Sequence, residues 1–185
     1  MMKARWLFVS ALALAAMTMA APGCGKKEEE KAKPAAEAAK VKLPDAVAKA
    51  LKAEFPKAAI TKVAKDKEGG VPFYDIDFKD GDEERAIAIA IDGAVVLSVS
   101  LVIEEKEVPE AVMKGIQGAL DGGKIEQIEK REVRREGKDL MVTTLDKPKT
   151  EYEAELKKGD LEATVLVDDK GTVLEAPKWE KPEKE

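Results

Sequence analysis

Apolar residues recur every fourth position in two short stretches of this chain and every second position in much of the remainder. Val47 and Leu51 form the first stripe and Val112, Ile116 and Leu120 the second, so each stretch predicts a helix with one buried face. Leu43-Pro44-Asp45 and Val108-Pro109-Glu110 open these helices. Proline at the first helical position lacks an N–H that would have no partner there, and the neighbouring acid suits the positive end of the helix dipole. Pro56, after Phe55, ends the first helix, and Gly122-Gly123 ends the second. Beyond each helix the period changes to two. Tyr74, Ile76 and Phe78 alternate with Asp75, Asp77 and Lys79, and Ile87, Ile89 and Ile91 alternate with alanines, which predicts half-buried strands with the aspartates on an outward face. Asp92-Gly93 predicts a hairpin turn into a strand with Val95, Leu97, Val99, Leu101 and Ile103 on one face. Its other face, Val96, Ser98, Ser100 and Val102, is unusually apolar for solvent. That places the strand inside the assembly.

The chain also matches itself. Leu43-Pro44-Asp45-Ala46-Val47 corresponds to Val108-Pro109-Glu110-Ala111-Val112, and Ile60-Thr61-Lys62-Val63 to Ile125-Glu126-Gln127-Ile128, both at an offset of 65. Tyr74-Asp75-Ile76-Asp77-Phe78-Lys79 corresponds to Tyr152-Glu153-Ala154-Glu155-Leu156-Lys157 at an offset of 78. The offset changes once, so the second copy carries an insertion at about residues 131–151, as a longer hairpin would. The expected fold is α+β: two tandem units, residues 43–105 and 106–177, each one helix packed on an antiparallel sheet of about four strands. The helix covers one sheet face and leaves the other for partners. Units this small sit near the lower limit for independent folding, which predicts that they pack together. Residues 178–185, with Trp179 among lysines and glutamates, predict a disordered tail.

The amino terminus reads as an export signal over residues 1–23. Lys3 and Arg5 precede an apolar run from Trp6 to Ala20, and small residues lead to a lone cysteine at Cys24. Ala21-Pro22-Gly23-Cys24 resembles a bacterial lipobox, although Ala21 stands where leucine is usual. The resemblance implies lipidation of Cys24, with residues 24–42 as a charged, lipid-anchored linker. The expected location is the bacterial cell envelope, periplasmic or extracytoplasmic, with the membrane reached through lipid on Cys24.

Composition narrows the chemistry. There are 37 acidic and 32 basic residues, for a formal net charge of −5. A weakly acidic, mixed surface argues against nucleic acid, which needs a positive face to replace counterions. The sequence has no histidine and one cysteine, so no internal disulfide is possible and the commonest acid-base group and metal ligand are missing. Ser98 and Ser100 lie two apart on one strand and outside any Gly-flanked nucleophile turn, so they read as polar strand residues. The string from Asp75 to Asp82 has the wrong spacing for a calcium loop, with Lys79 and Asp80 at positions that need an oxygen ligand and glycine. No catalytic, metal or cofactor residues are expected, and no cofactor.

Together the Leu-Pro-x-x-Val opening, Phe55-Pro56, the Ile60-Thr61-Lys62-Val63 strand, the Tyr-x-Ile/Ala-x-Phe/Leu strand and the Asp-Gly hairpin resemble the PepSY-like domain, also called beta-lactamase-inhibitor-like. The first copy matches well from Leu43 to about Ile103. The second departs from the pattern at Gly122-Gly123 and at the insertion. The resemblance implies a secreted or lipid-anchored, non-catalytic protein whose sheet binds an envelope protein, a peptidase or other hydrolase among the candidates for inhibition. The alternative is a structural or cation-buffering envelope lipoprotein without a specific protein partner.

Overall fold

A computed structural model describes residues 43–91 and 95–182. The signal segment 1–23, Cys24, the linker 24–42, the Asp92-Gly93 turn and residues 183–185 lie outside the described residues. The elements run α1 (Asp45–Glu54), β1 (Ala59–Glu68), β2 (Val71–Asp80), β3 (Glu83–Ala90), β4 (Val96–Ile103), a 3-10 turn (Glu105–Glu107), α2 (Glu110–Ala119), β5 (Lys124–Lys138), β6 (Met141–Lys158), β7 (Leu161–Asp168) and β8 (Val173–Glu175).

Both helices form where the four-residue stripes place them. Pro44 and Pro109 stand at the N-cap, one position before the first helical residue, with Asp45 and Glu110 in the first turn. Val47 and Leu51 bury the inner face of α1, and Val112 and Ile116 that of α2. Burying each such aliphatic side chain stabilises by roughly 1.5–3 kcal/mol. The Phe55 N–H closes α1 on the Leu51 carbonyl, and Pro56 follows. The chain leaves α2 through Asp121 and Gly122, both at positive φ.

The expectation of two units, each with its own sheet of about four strands, is overturned. All eight strands belong to one antiparallel sheet in the order β1-β2-β3-β4-β5-β6-β7-β8. The join is β4 against β5, from Ser98 opposite Val133 to Ile103 opposite Ile128. An apolar strand such as β4 cannot end a sheet without exposing both its edge and its side chains. Pairing the first repeat to the second removes that exposure.

Alternation across the join shows that both helices lie on one side. Val99 belongs to the α1 core, with Leu51, Ile76, Phe78, Ile87 and Ile89. Its same-face neighbour Ile103 pairs with Ile128, which belongs to the α2 core with Val112, Ile116, Leu156 and Val165. A third cluster, Val71, Phe73, Ala88, Ala90 and Leu97, lies on the opposite side, and Val142 packs against it. Leu97 is there because the register of β3 against β4 shifts by one residue between Ala88 and Ile89. This bulge puts Val96 with the α1 core and Leu97 behind it, so the predicted single face of Val95, Leu97 and Val99 is divided.

The insertion lengthens the β5–β6 hairpin. Its end bends where the register slips between Val133 and Arg135 and returns to the β1–β2 turn. The Leu140 N–H donates to the Gly69 carbonyl at 2.9 Å, and the Gly137 N–H donates to Glu68 Oε1 at 3.2 Å. Gly137 and Gly69 meet backbone to backbone, and a Cβ on either would collide with the other strand pair. Arg134 reaches Glu54 at the end of α1, at 3.0 Å. The sheet therefore curls, and this end of its helix-free face is closed over the third cluster.

The expected disordered tail is also corrected through residue 182. Trp179 packs on the α2 core, its ring occupying the space that a Cβ on Gly123 would need. Glu180 and Glu162 exchange backbone hydrogen bonds at 3.0 and 2.8 Å. An indole covering an open sheet end overrides the polar composition around it.

The Gly137 contact tests the curl. Gly137→Ala should cost about 2 kcal/mol, because backbone rather than a flexible side chain must give way. Urea unfolding of the two proteins measures it, and a loss under about 0.5 kcal/mol would mean that the hairpin end is not seated on the β1–β2 turn.

Candidate functional site

The open remainder of the helix-free face is where polar groups gather. Alternation places Asp75 and Asp77 of β2 on this side, because Tyr74, Ile76 and Phe78 point to α1. The same rule places Glu153 and Glu155 of β6 there, because Tyr152, Ala154 and Leu156 point to α2. From β5 come Glu129 and Arg131, with Glu129 directly opposite Glu153 and Arg131 opposite Glu151. Ala86, Ala88, Ser98 and Ser100 make the floor between β2 and β5.

On a flat sheet Asp75 and Glu153, four strands apart, would be separated by roughly 19 Å at the usual ~4.8 Å strand spacing. Here they line one shallow depression together with Glu129 and Arg131. The curl makes the face concave and brings the acids of both repeats to one place. Arg131 is held at its side: Nε donates to Ser98 Oγ at 3.1 Å, and the guanidinium lies 3.6 Å from Glu68. Gln127 Nε2 donates to Glu129 at 3.0 Å. Asp75 is only 5% exposed. Asp77 Oδ1 is buried without a hydrogen-bond partner among the described residues.

Crowded, half-dry carboxylates resist ionisation. Burial, then the charge of Asp77, pushes Asp75 well above the usual carboxylate range. Burial raises Asp77 to about 7 against the opposing pull of Lys62. Burial and a neighbouring acid bring Glu129 and Glu153 each to about 7, and Glu155 to about 8.

Of the positions singled out from sequence, Cys24 lies outside the described residues. Ser98 and Ser100 are buried strand residues on the concave floor, and Ser98 accepts from Arg131. The aspartate string divides: Asp75 and Asp77 belong to the concave face, whereas Gly81 turns between β2 and β3 at positive φ. Asp75, expected on an outward strand face, is buried. Among the described residues no group of three or more acidic, histidine or cysteine side chains has the arrangement of a metal cage. Sequence reasoning missed Glu129, Arg131, Glu153 and Glu155 as one site. Their period-two spacing marks one strand face, but only the curl joins it to Asp75.

A model of the PepSY-like family, provisionally described as beta-lactamase-inhibitor-like, matches residues 26–97 and again residues 94–175. This agrees with the tandem repeat. None of the curated proteins matches. Among solved structures, a DUF2874 family protein from Bacteroides uniformis aligns with a TM-score of 0.51 at 17% identity, over 74% of this chain and 88% of its own. A provisionally named periplasmic protein from Bacteroides eggerthii gives 0.51 at 20% identity over 74% and 88%. A BLIP-like protein from Bacteroides fragilis gives 0.48 at 17% identity over 77% and 89%. The first two carry the fold alone.

The carboxylates set a pH dependence with a definite sign. Their folded-state values lie above the unfolded ones of about 4, so the native protein binds more protons between about pH 4 and 8. The stabilisation is complete below the unfolded values and is lost as pH rises through about 7 and 8. Melting temperature should therefore fall between about pH 5.5 and 8.5, by on the order of 5 °C. Glu153→Gln should flatten the profile and raise the melting temperature at the alkaline end. Calorimetry that finds stability flat or rising over this interval contradicts the assignment.

Proposed function

The chain belongs to the beta-lactamase-inhibitor-like, PepSY-like family, and on that premise we propose that it is a non-catalytic, extracytoplasmic binding protein whose concave sheet face holds an envelope protein. The observation that carries this reading is the face itself. Both helices cover the other side of the sheet, so one side is built for stability and the other is left open with charged groups in fixed positions. A restrained peptidase or other hydrolase is the partner class that fits the family's description as inhibitor-like. The periplasmic name of the Bacteroides eggerthii structure supports an extracytoplasmic address. The export signal and Cys24 support anchoring by lipid.

Two experiments test the reading. A photo-crosslinking residue at Thr164, which lies opposite Glu155 on the open face, should give a saturable protein adduct in native envelopes. The same residue at Lys49, exposed on α1, should give none, and equal labelling from both positions would refute a dedicated binding face. Separately, cells fed a labelled fatty acid should label the wild-type protein and not Cys24→Ser. Label retained by the variant removes the anchor.

A further inference from the structure

The residues of β4 that make the seam with β5 have counterparts at the carboxyl terminus. At the offset of 78 that relates the repeats beyond the insertion, Ser98-Val99-Ser100-Leu101-Val102-Ile103 falls on Ala176-Pro177-Lys178-Trp179-Glu180-Lys181. The tail also keeps β4's place in the sheet. β4 lies against β3 with Arg85 opposite Leu101. The next pair in that register is Glu84 with Val102, and their counterparts, Glu162 of β7 and Glu180, are the residues that exchange backbone hydrogen bonds. Trp179, packed on the α2 core, holds the segment there.

What differs is the outer edge. In β4 that edge receives β5 from Ser98 to Ile103. In the tail Glu180 gives both of its backbone groups to Glu162, so alternation turns those of Trp179 and of Pro177 away from β7. Proline at 177 then removes a donor from the outward row that a further strand would need. Lys178, Glu180 and Lys181 put exposed charge where β4 has Ser100, Val102 and Ile103. Proline and charge, lysine above all, keep sheet edges from pairing. β8 itself runs only from Val173 to Glu175.

The strand that an open edge here would take is also present. β1 is the counterpart of β5, since Ile60-Thr61-Lys62-Val63 falls on Ile125-Glu126-Gln127-Ile128, and it is the opposite outer strand of the sheet. The β4–β5 seam would therefore repeat from one molecule to the next, head to tail, if nothing stopped it. Both outer strands keep exposed apolar side chains, Ile60 on β1 and Val173 and Leu174 on β8. We infer that residues 176–181 cap the sheet against a second copy of this chain: they hold β4's place beside β7 and deny its outer edge to β1 of another molecule. Anchoring many copies to one membrane, as proposed above, concentrates such edges and makes the cap matter most there.

The test is sedimentation velocity on the purified mature chain, residues 24–185, under reducing conditions. It is compared with Pro177→Val/Lys178→Ser/Glu180→Val/Lys181→Ile, which restores β4's residues and leaves Trp179 in place. The wild type should remain a monomer up to about 100 µM, while the weight-average mass of the variant rises more than about twofold over the same range. A melting temperature within about 5 °C of the wild type shows that the variant is folded. Lys178→Ser/Glu180→Val/Lys181→Ile, confined to exposed positions, should associate too, but more weakly because Pro177 remains. Labelled four-site variant in roughly tenfold excess of wild type should sediment no further than a dimer, because each wild-type molecule offers β1 and ends the array at its own tail. Self-association of the wild type, variants that both stay monomeric, or association that excess wild type does not limit would each overturn the cap.

Discussion

The hydrogen-bonded seam between β4 and β5 governs the rest of the molecule. The first repeat alone would present β4, apolar on both faces, as an open edge and the second would present β5, and a unit of this size has little core with which to offset that exposure. Joining Ser98–Ile103 to Ile128–Val133 buries the edge, aligns the two helices on one side and leaves β1 and β8 as the outer strands. With α1 and α2 on the same side, neither helix covers the reverse face of the sheet. The division between a stabilising face and a free face is thus decided at one strand pair.

Curl follows from the same seam. Eight twisted strands do not stay flat, and here the long β5–β6 hairpin is tied back to the β1–β2 turn through Gly69, Gly137 and Glu68. The two glycines allow the backbones to meet without side chains between them. Behind that closure Phe73, Leu97 and Val142 make a small core of their own, so one end of the concave face is anchored while the other stays open. The insertion in the second repeat acts as the strut that holds the curvature.

The concave face shows what was and was not legible in the sequence. Helix faces, strand alternation and the repeat were legible because each depends on neighbours within a few positions, as with Val112 and Ile116 or Tyr74 and Ile76. The doubly apolar character of β4 correctly marked an interior strand. Its bulge at Leu97 was invisible, because alternation assumes an unbroken register. The single sheet was missed for a related reason: repeats counted along the chain say nothing about whether their edges pair. Trp179 was misread because composition outvoted one aromatic ring with a surface to cover. The carboxylate site was hidden most deeply, since Asp75 and Glu153 belong to different strands whose approach depends on the curl.

That last pair also explains how a repeated unit makes a site that neither copy contains. Asp75 and Asp77 occupy the positions in the first repeat that Glu153 and Glu155 occupy in the second. In an isolated unit these acids would face water from a gently twisted sheet, ionised and unremarked. The seam sets the two copies side by side in one sheet, and the curl turns their equivalent faces toward each other across the alanine and serine floor. β5 then adds Glu129 and Arg131 where its counterpart in the first repeat, β1, carries Ala64 and Asp66. Duplication therefore supplies the acids, the β4–β5 pairing supplies their proximity, and the difference between β1 and β5 breaks the symmetry so that one depression forms, with Arg131 held to one side.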